Sequence, residues 1–365
     1  MRKCGKTYNA APIFDNSIEK SIKTVPAHNN MDPNRLEEAH RRLLHAWNTL
    51  PREQFERALD NVLLRMNLRQ QYIPNRYLHP QMLNFGSHGV ICSVRDVFNP
   101  NLPLVAKMHW NLHNLDQEKT NYSNLEGLSG FPFFLDAFIM PLGDAVVMGN
   151  HFCHMNVFQY VGESLQKIVE RSLPISQRNV VTLGYKLFLI IESMHAARLV
   201  HRSIQLKHVT LQRKPNDKLQ MWLIGLDEAL PLDPLPVDNA DVVSQDSSPF
   251  VDDGNPYQTF DDFISGVYLI LRMSGIDLFE NTGGDARRIA HQKQRFHQTP
   301  LNFVNNETAW IGELYDEIQA QSVNGYNHDQ LFRIFHRAIP NFVPTVTPDL
   351  EIEYILMGND TIFLG

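Results

Sequence analysis

The sequence predicts an α+β fold in which a β-rich part is followed by a helical part. Between residues 76 and 161, short runs rich in Val, Ile and Phe are separated by Gly, Pro, Asn and Asp, as is typical of strands and turns. One helical window, Leu112 to Leu125, lies among these runs. From Gln177 onward helical periods dominate, and the apolar residues of Val181 to His195 recur on one face, which favours a helix that packs against a core.

The predicted elements follow in chain order. Residues 1–33 are polar without a sustained period and predict a flexible leader, whereas residues 34–75 carry two helical periods and predict a helical extension. The later strands and helices that the pattern predicts are the strands Val90–Val94, Leu104–Met108, Ala145–Met148, Asn156–Val161, Val209–Leu211 and Met221–Ile224, and the helices Phe260–Met273 and His328–Ala338. We expect one domain over 76–161, a second over 162–343 and a C-terminal tail over 344–365.

Composition and charge restrict the class of protein. A chain of 365 residues that is 43% hydrophobic can bury a substantial core, and its net charge of −7 disfavours general binding to nucleic acid or to anionic membranes. The three cysteines (Cys4, Cys92 and Cys153) are too few for a disulfide framework, and the N-terminus has no apolar segment of the secretory kind. Prolines and aspartates interrupt the most apolar stretch, 131–148, so we expect no membrane span. These observations predict a protein of the cytoplasm or the nucleus.

The acidic residues are concentrated in one segment. Residues 226–262 contain ten Asp and Glu and no Lys, Arg or His, so the rest of the chain carries a small positive charge. Two interpretations remain open. The segment is either a loop that its charge keeps solvated, or an acidic face presented to a basic partner.

Two short patterns in the β-rich part have the residue types of a phosphate site. Asn84 to Ile91 contains Gly86 and Gly89 between two β runs, and a tight hairpin of this kind can lie against phosphates, although the pattern alone favours an ordinary hairpin turn. Lys107 ends an apolar run, where its ammonium group is placed to hold a phosphate. Glu118, in the helical window, could orient that amine through an ion pair. The alternative is that Lys107 and Glu118 are unrelated surface charges.

The most informative stretch joins the helix that ends near His195 to the strand that begins at Val209. It contains His201-Arg202-Ser203, and a predicted β-hairpin then leads to Gly225-Leu226-Asp227. This arrangement resembles the catalytic and metal-binding loops of the protein kinase family, where His-Arg-Asp-x-Lys-x-x-Asn precedes a hairpin and Asp-Phe-Gly. The resemblance covers roughly residues 80–340 and implies a two-lobed protein-kinase-like fold.

The residues that would perform phosphoryl transfer differ from that pattern. Phosphoryl transfer depends on positioning and on metal electrostatics, and here serine cannot act as the carboxylate and glycine has no side chain to hold a metal. The resemblance therefore implies a pseudokinase, with no catalytic residue and no bound metal. The degenerate positions are Ser203 for the catalytic Asp, Gln205 for the Lys, His208 for the metal-holding Asn, and Gly225, Leu226 and Asp227 for the Asp-Phe-Gly triplet.

The resemblance also implies where ATP would bind without turnover. The residues that match are Gly86, Gly89, Ile91, Lys107, Glu118, Gln159 and His208. Gln159 belongs to Val157–Leu165, which is similar to the hinge between the lobes of a kinase, and Asn84 stands where the family has its first glycine. The alternative is a cleft closed by side chains such as His88 and Phe158.

Two further features bear on the helical part. The stretch Asp262-Phe263-Ile264-Ser265-Gly266 is similar to the start of the buried kinase helix whose Asp supports the His-Arg loop from below. No Ala-Pro-Glu-like sequence lies between Gly225 and Asp262, so the resemblance implies a shortened activation segment.

The combination of His-Arg-Ser, His208 and Gly225-Leu226 is similar to the STE20-related adaptor (STRAD) pseudokinases, with a weaker match at Pro344-Thr345-Val346-Thr347-Pro348. That resemblance implies an allosteric adaptor. Its partners would be a serine/threonine kinase, the liver-kinase-type tumour suppressor, and a helical-repeat scaffold protein. The family's C-terminal Trp-Glu-Phe anchor for the scaffold is absent, since the sequence here reads Thr361-Ile362-Phe363-Leu364-Gly365.

Other hypotheses remain open. Leu115–Glu118, Gly162–Leu165 and Phe260–Phe263 also resemble the casein-kinase-1-like branch, which would make the chain a pseudokinase scaffold of that branch. A weakly active atypical Ser/Thr kinase would need Asp227 as the metal ligand and Lys207 as the catalytic-loop lysine. The cluster His151-Phe152-Cys153-His154 predicts a surface loop rather than a zinc site, because adjacent residues rarely reach one ion together.

Overall fold

The computed structural model describes residues 77–86, 89–109, 112–141, 152–172, 174–232, 244–322, 325–358 and 361–365. These residues form an α+β protein with antiparallel sheets, which confirms the α+β class that the sequence predicts. They divide into two compact units, one comprising the chain up to residue 112 together with 135–158, and the other comprising 113–134 with 159–365. The predicted leader, the helical extension over 34–75 and the strand Ala145–Met148 lie outside the described residues.

The first unit is built on a five-stranded sheet with the order β1-β2-β3-β5-β4. Its strands are β1 Tyr77–Gly86, β2 Gly89–Asp96, β3 Pro103–His109, β4 Phe134–Pro141 and β5 Phe152–Gln159. In β2 the buried residues Val90, Cys92 and Val94 alternate with more exposed ones, so one face of the strand is apolar. The strands predicted at Val90–Val94 and Leu104–Met108 are confirmed within β2 and β3.

The hairpin between β1 and β2 requires glycine for a packing reason. Gly86 lies opposite Gly89 at the end of the β1–β2 ladder. A Cβ atom on Gly89 would lie 1.8 Å from the carbonyl oxygen of Met108 in the neighbouring strand β3. Close approach of two backbones excludes any side chain at this position. Gly89 therefore has a structural role whether or not the hairpin contacts a phosphate.

The second unit contains eight α-helices in the described part of the chain. They are α1 Leu112–Asn124, α2 Leu165–Ser172, α3 Gln177–Ala196, α4 Pro249–Asp252, α5 Thr259–Met273, α6 Ala286–Gln298, α7 Ala309–Ser322 and α8 His328–Arg337. Two short 3₁₀ turns, Leu206–His208 and Pro300–Phe303, lie between them. None of the described helices combines the length and the apolar character that crossing a bilayer requires.

Helices α3 and α5 form the centre of this unit. Almost every residue of α5 is buried, and its Phe263 ring lies 5.1 Å from the ring of Phe188 in α3. Phe188 also contacts Phe335 of α8 at 5.1 Å, edge to face. Aromatic contacts of this geometry add to the burial of apolar area. The result is a rigid platform from which polar side chains of α3 and α5 reach the loop that follows α3.

Short strands complete the second unit. They are β6 Glu163–Ser164, β7 Leu199–Val200, β8 Val209–Arg213, β9 Leu219–Leu223, β10 Leu230–Pro231, β11 Asp349–Leu350, β12 Tyr354–Met357 and β13 Thr361–Leu364. The hairpin of β8 and β9 lies within a sheet of order β11-β9-β8-β6, while β7 pairs with β10 and β12 with β13. The strands predicted at Val209–Leu211 and Met221–Ile224 therefore form the expected hairpin.

The C-terminal segment is folded against α3, which the sequence pattern did not predict. The Asn179 amide of α3 donates to the carbonyl oxygens of Glu353 at 2.7 Å and Gly365 at 2.8 Å, and its oxygen accepts from the Glu353 N–H. Arg171 of α2 donates to the Ile362 carbonyl oxygen at 2.8 Å. These bonds attach the β12–β13 hairpin to the second unit.

Candidate functional site

The loop that follows α3 has a strained backbone. It runs from β7 through His201, Arg202 and Ser203 to the 3₁₀ turn at Leu206–His208. Arg202 has a φ of 68°, a left-handed conformation that a non-glycine residue adopts only when its surroundings impose it. The groups that hold this loop must therefore offset the cost of that conformation.

Asp262 of α5 supports the loop from within the core. Its Oδ2 accepts hydrogen bonds from the His201 N–H and from His195 Nε2, both at 2.8 Å. Its Oδ1 accepts from the Arg202 N–H at 3.0 Å and from the Tyr257 hydroxyl at 2.5 Å. The side chain is fully buried. The predicted role of Asp262 beneath the His-Arg loop is thus confirmed, and four donors explain why a buried carboxylate is tolerated.

The charge on Asp262 is stabilised by its partners. Burial alone would raise the pKa of this carboxyl, but the hydrogen bonds that it accepts from His195 and Tyr257 lower it below its ordinary value. The group is therefore ionised at neutral pH. This anion fixes the backbone of His201 and Arg202 in the strained conformation.

The ring of His201 connects the loop to the end of the β8–β9 hairpin. The Ser203 N–H donates to His201 Nδ1 at 3.2 Å, so the ring proton lies on Nε2, which donates to the Ile224 carbonyl oxygen at 3.1 Å. Burial lowers the pKa of His201 and keeps the ring neutral. Both ring nitrogens are used in structural bonds. This geometry supports the interpretation that His201 braces the loop rather than acting as a base.

Ser203, Gln205 and His208 are joined by hydrogen bonds. Gln205 Nε2 donates to the Ser203 hydroxyl at 3.2 Å, and His208 Nδ1 donates to the Ser203 carbonyl oxygen at 2.6 Å. Ser203 is largely buried. None of these bonds links the Ser203 hydroxyl to a base, so the arrangement does not activate it as a nucleophile.

His208 and Gly225 occupy adjoining space. Gly225 has a φ of +83°, and a Cβ atom at this position would lie 2.9 Å from Cδ2 of the His208 ring. The imidazole therefore fills the volume that a side chain at 225 would enter. The two departures from the kinase pattern are physically coupled, because a large ring at 208 requires the absence of a side chain at 225.

The His208 ring is uncharged at physiological pH. Burial is the main cause that lowers its pKa to about 3, with further contributions from Lys207 and His201. Its Nδ1 proton is committed to Ser203, and Gly225 offers no side chain. Mg²⁺ prefers oxygen ligands in octahedral geometry. An imidazole and a glycine at these two positions do not fit that preference.

Side chains of α1 hold the segment that follows Gly225. Asn121 Nδ2 donates to the carbonyl oxygens of Leu226 and Ala229, both at 2.7 Å, and it is buried. Gln117 Nε2 donates to the same Ala229 oxygen at 3.0 Å. These three bonds fix residues 226–229 against the helix. We use the name α1 clamp for Gln117, Asn121 and the carbonyl groups of Leu226 and Ala229 that they bind.

The α1 clamp was missed by sequence reasoning, although a signal was present. Glu118, Asn121 and Tyr122 share one helical face with Leu125, and all four residues are buried. Polar groups on an apolar stripe must find partners inside the protein. Tyr122 lies beside Glu118, Asp227 and the Gly225 backbone; burial and then these two carboxylates raise the pKa of its phenol well above the usual value.

The nucleotide candidates of the first unit lie on adjoining strands. Ile91 of β2 is directly opposite Lys107 of β3 in the ladder, and Lys107 is half-buried. Gly86 and Gly89 form the nearby end of the β1–β2 hairpin. In the second unit, Gln159 is half-buried and its N–H donates to the Phe133 carbonyl oxygen at 3.1 Å. Glu118, the other member of the predicted ion pair, also lies in the second unit, so the pairing with Lys107 stays a prediction.

Three aspartates in the described part of the acidic segment fit neither of the interpretations given for it. Asp246, Asp261 and Asp262 are buried rather than solvated or presented. Asp246 pairs with Arg272 at 3.3 Å, and Lys293 Nζ contacts Asp252 at 2.6 Å. Buried charges need such partners, and the basic ones come from α5 and α6, later in the sequence. The idea of an acidic face was therefore wrong for these residues, whereas Asp233, Asp238 and Asp241 lie outside the described part.

No group of three or more His, Cys, Asp and Glu with the geometry of a metal site occurs among the described residues. The side chains of Cys153 and His154, and all of His151, lie outside them. No protein-family model matches the chain, and no curated protein sequence matches it significantly.

Proposed function

We propose that this chain is a protein-kinase-like pseudokinase that acts by binding rather than by phosphoryl transfer. The observation that carries the proposal is the contact between His208 and Gly225. The two positions that hold metal in a kinase are here a neutral ring and a residue without a side chain. The support of the loop by Asp262 is, by contrast, complete.

The order of elements is a further support for a kinase-like fold. A five-stranded antiparallel sheet has a helix after its third strand, and the helical unit has the loop, a β-hairpin and the Gly225 segment in the order that the resemblance implies. Fold similarity alone does not establish an activity, so the proposed function depends on the residues at His208 and Gly225.

The proposed role is that of an allosteric adaptor of the STE20-related kind. Such a protein would bind a partner serine/threonine kinase and a helical-repeat scaffold, and would shift the partner towards its active conformation. Activation of this type requires a higher affinity for the active state of the partner. ATP is proposed as a ligand that is held without turnover.

The first experiment tests inactivity. Purified full-length protein, incubated with Mg-ATP and a general peptide substrate, should show no phosphoryl transfer above background. Turnover that is lost on Asp227→Ala and kept on Asp253→Ala, an exposed control, would overturn the pseudokinase proposal in favour of a shifted register. Thermal unfolding of each variant checks that it is folded.

The second experiment tests the consequence of the contact between His208 and Gly225 for nucleotide and metal binding. ATP that binds the folded chain should raise its melting temperature. In the unchanged protein the shift should be the same with Mg²⁺ and with EDTA. The double variant His208→Asn with Gly225→Asp restores oxygen donors and should gain a Mg²⁺-dependent shift. If ATP does not raise the melting temperature with Mg²⁺ or with EDTA, ATP is not a ligand of this chain. The adaptor role is tested separately.

The adaptor role has its own measurement. The activity of a purified liver-kinase-type partner with its scaffold should rise when this chain is added in excess. If that activity is unchanged, the adaptor assignment fails while the assignment as an inactive kinase-like protein stands. The casein-kinase-1-like alternative would then be favoured, because it predicts scaffolding without activation.

A further inference from the structure

The stretch Pro344–Pro348, which follows α8, lies against α3 outside any helix or strand. Just before it, the Arg178 guanidinium of α3 lies over the Phe342 ring at 4.6 Å from its centre. Near its end, Lys186 Nζ of α3 donates to the Thr347 carbonyl oxygen at 3.3 Å. The backbone of this stretch is therefore fixed to the second unit at both ends.

The side chains of the stretch are exposed although its backbone is held. Val346 is 67% exposed, and Thr345, Thr347 and Pro348 are exposed as well. Thr347 Oγ1 donates to the Asp349 carbonyl oxygen at 3.1 Å and lies 3.0 Å from Thr345 Oγ1. Hydrogen bonds between exposed groups are replaced by water at little cost. The Thr347 hydroxyl is thus accessible to an enzyme that reacts with it.

Thr347 also belongs to one of three Ser/Thr-Pro pairs in the chain. Of the 21 prolines, only three follow a serine or a threonine, and the pairs are Ser248-Pro249, Thr299-Pro300 and Thr347-Pro348. Proline lacks a backbone N–H and favours an extended conformation in the residue before it. Proline-directed kinases recognise these two properties when they phosphorylate the preceding hydroxyl. The sequence does not distinguish the three pairs, whereas their surroundings do.

Ser248 is excluded by burial. Its side chain is fully buried and caps α4, accepting a hydrogen bond from the Val251 N–H at 3.3 Å. Its hydroxyl donates to the buried carboxylate of Asp261. A phosphate at this position would place a second anion beside Asp261 inside the protein, which is very costly.

Thr299 is exposed, but it lies within helical backbone. Its N–H and its hydroxyl both donate to the Arg295 carbonyl oxygen, at 3.1 and 3.2 Å, where they end α6. The 3₁₀ turn Pro300–Phe303 follows at once. An enzyme that binds its substrate as an extended segment would have to unwind these turns. Thr347 is therefore the one threonine of the three pairs that is exposed and outside helical backbone.

The local charges also tolerate a phosphate at Thr347. A phosphothreonine carries a charge of about −1.5 to −2 at neutral pH, so nearby carboxylates oppose it and nearby cations favour it. Asp349 is paired with Lys214 Nζ at 2.8 Å, which reduces its repulsion. Lys186 donates to the carbonyl oxygen of Thr347 itself, so a cation already lies beside the residue.

We propose that Thr347 is a phosphorylation site for a proline-directed serine/threonine kinase. That kinase transfers the γ-phosphoryl group of ATP to Thr347 Oγ1. The bond between the γ-phosphorus and the oxygen that leaves with ADP breaks, a P–O bond to threonine forms, and the hydroxyl proton passes to the base of the kinase. The inference goes beyond the proposed function, because the chain is here the substrate of another enzyme and the His208 site takes no part.

The experiment uses the folded full-length chain, Mg-ATP and two purified proline-directed kinases, one of the mitogen-activated class and one of the cyclin-dependent class. A reaction without added kinase is the blank. Mass spectrometry of a proteolytic digest measures the phosphate at each Ser/Thr-Pro pair. We expect a single phosphate, at Thr347, and none at Ser248 or Thr299.

Variants identify the acceptor and the recognition. Thr347→Val removes the hydroxyl with little change of shape and should abolish the phosphate. Pro348→Ala keeps the hydroxyl but removes the proline and should abolish it as well. Thr345→Val and Thr299→Val are the matched controls, and both should be phosphorylated like the unchanged protein. Thermal unfolding of each variant checks that it is folded.

The proposal is overturned if neither kinase phosphorylates Thr347 in the folded chain, or if Thr347→Val takes up as much phosphate as the unchanged protein. Phosphorylation that persists in Pro348→Ala has the same consequence, since recognition would not depend on the proline. Equal phosphorylation of Thr299 would show that the surroundings do not select Thr347, and it also contradicts the proposal. None of these outcomes bears on the turnover assays, in which this chain is tested as the enzyme.

Discussion

The two sides of the loop at 201–208 are built from different chemistry. On the side of α5, the ionised carboxylate of Asp262 accepts four hydrogen bonds and fixes the backbone of His201 and Arg202. On the side of Gly225, the neutral ring of His208 fills the space beside a residue with no side chain. The Asp262 side therefore carries a negative charge with a full set of hydrogen bonds. The Gly225 side carries no charge and has no room for a side chain at 225.

This difference shows that the support of a loop and its chemistry are separable. The Asp262 contacts involve backbone N–H groups, so they depend on the path of the chain and not on what the loop's side chains do. The His208 contacts involve side chains, which can change without altering that path. The backbone support of this loop and the packing of its side chains therefore depend on separate contacts.

The largest effect on stability should come from removing the carboxylate of Asp262. Asp262→Ala leaves four donors without an acceptor and should lower the free energy of unfolding by about 3–5 kcal/mol. Chemical denaturation measures the change. Asp253→Ala, at an exposed position, should have little effect. Equal and small losses for the two variants would show that Asp262 does not support the loop.

A smaller effect is expected for the α1 clamp, which holds the segment following Gly225. Asn121→Ala removes the donor shared by the Leu226 and Ala229 carbonyl oxygens and should cost about 1–3 kcal/mol. Hydrogen exchange of residues 226–229 should accelerate. Asn124→Ala, exposed at the end of the same helix, provides the control. Unchanged exchange in Asn121→Ala would mean that the hairpin alone fixes this segment.

The third prediction concerns the pH dependence of stability and the neutral ring of His208. His208 has a pKa of about 3 when folded and an ordinary value near 6.5 when unfolded, so its contribution to stability is complete above about pH 6.5 and is lost as pH falls towards 3. The unchanged protein should lose up to about 1.4 kcal/mol per pH unit from this group, a loss that His208→Asn abolishes.

Denaturation at a series of pH values from 7 to 5 gives the two slopes. His201, whose pKa is also lowered, and Asp261, whose pKa burial raises to about 7, are present in both proteins and cancel in the difference. His291→Asn, at an exposed position, should keep the slope of the unchanged protein. Parallel slopes for the unchanged protein and His208→Asn would show that the ring is protonated in the folded state.

Much of the core could be predicted from periodicity. The helix predicted over Val181–His195 is observed as Gln177–Ala196, and its start lies earlier because the Ser176 side chain accepts from the Asn179 N–H and caps the first turn. Helices α6 and α7 were not predicted individually. In α6 most residues are polar and only Lys293 and Phe296 are buried, so its apolar stripe is weak.

Partners distant in sequence could not be predicted in the same way. The acids between 226 and 262 looked like a surface feature because no basic residue lies near them in the chain. Lys293, fully buried 41 residues beyond Asp252, pairs with it only in the folded structure. The same holds for Asn121 and Leu226, since a pattern within one helix does not reveal which backbone it will face.

The sequence by itself determined the α+β class, the β-hairpin at 209–223, the residue types at Ser203, His208 and Gly225, and the position of Asp262 at the start of a buried helix. These follow from residue type and local period, which are properties of neighbouring residues. Only the tertiary structure decided that the His208 ring fills the space beside Gly225, that α1 clamps residues 226–229, and that Lys293 pairs with Asp252. Each of these depends on packing between segments far apart in the chain, where distance and burial set the chemistry.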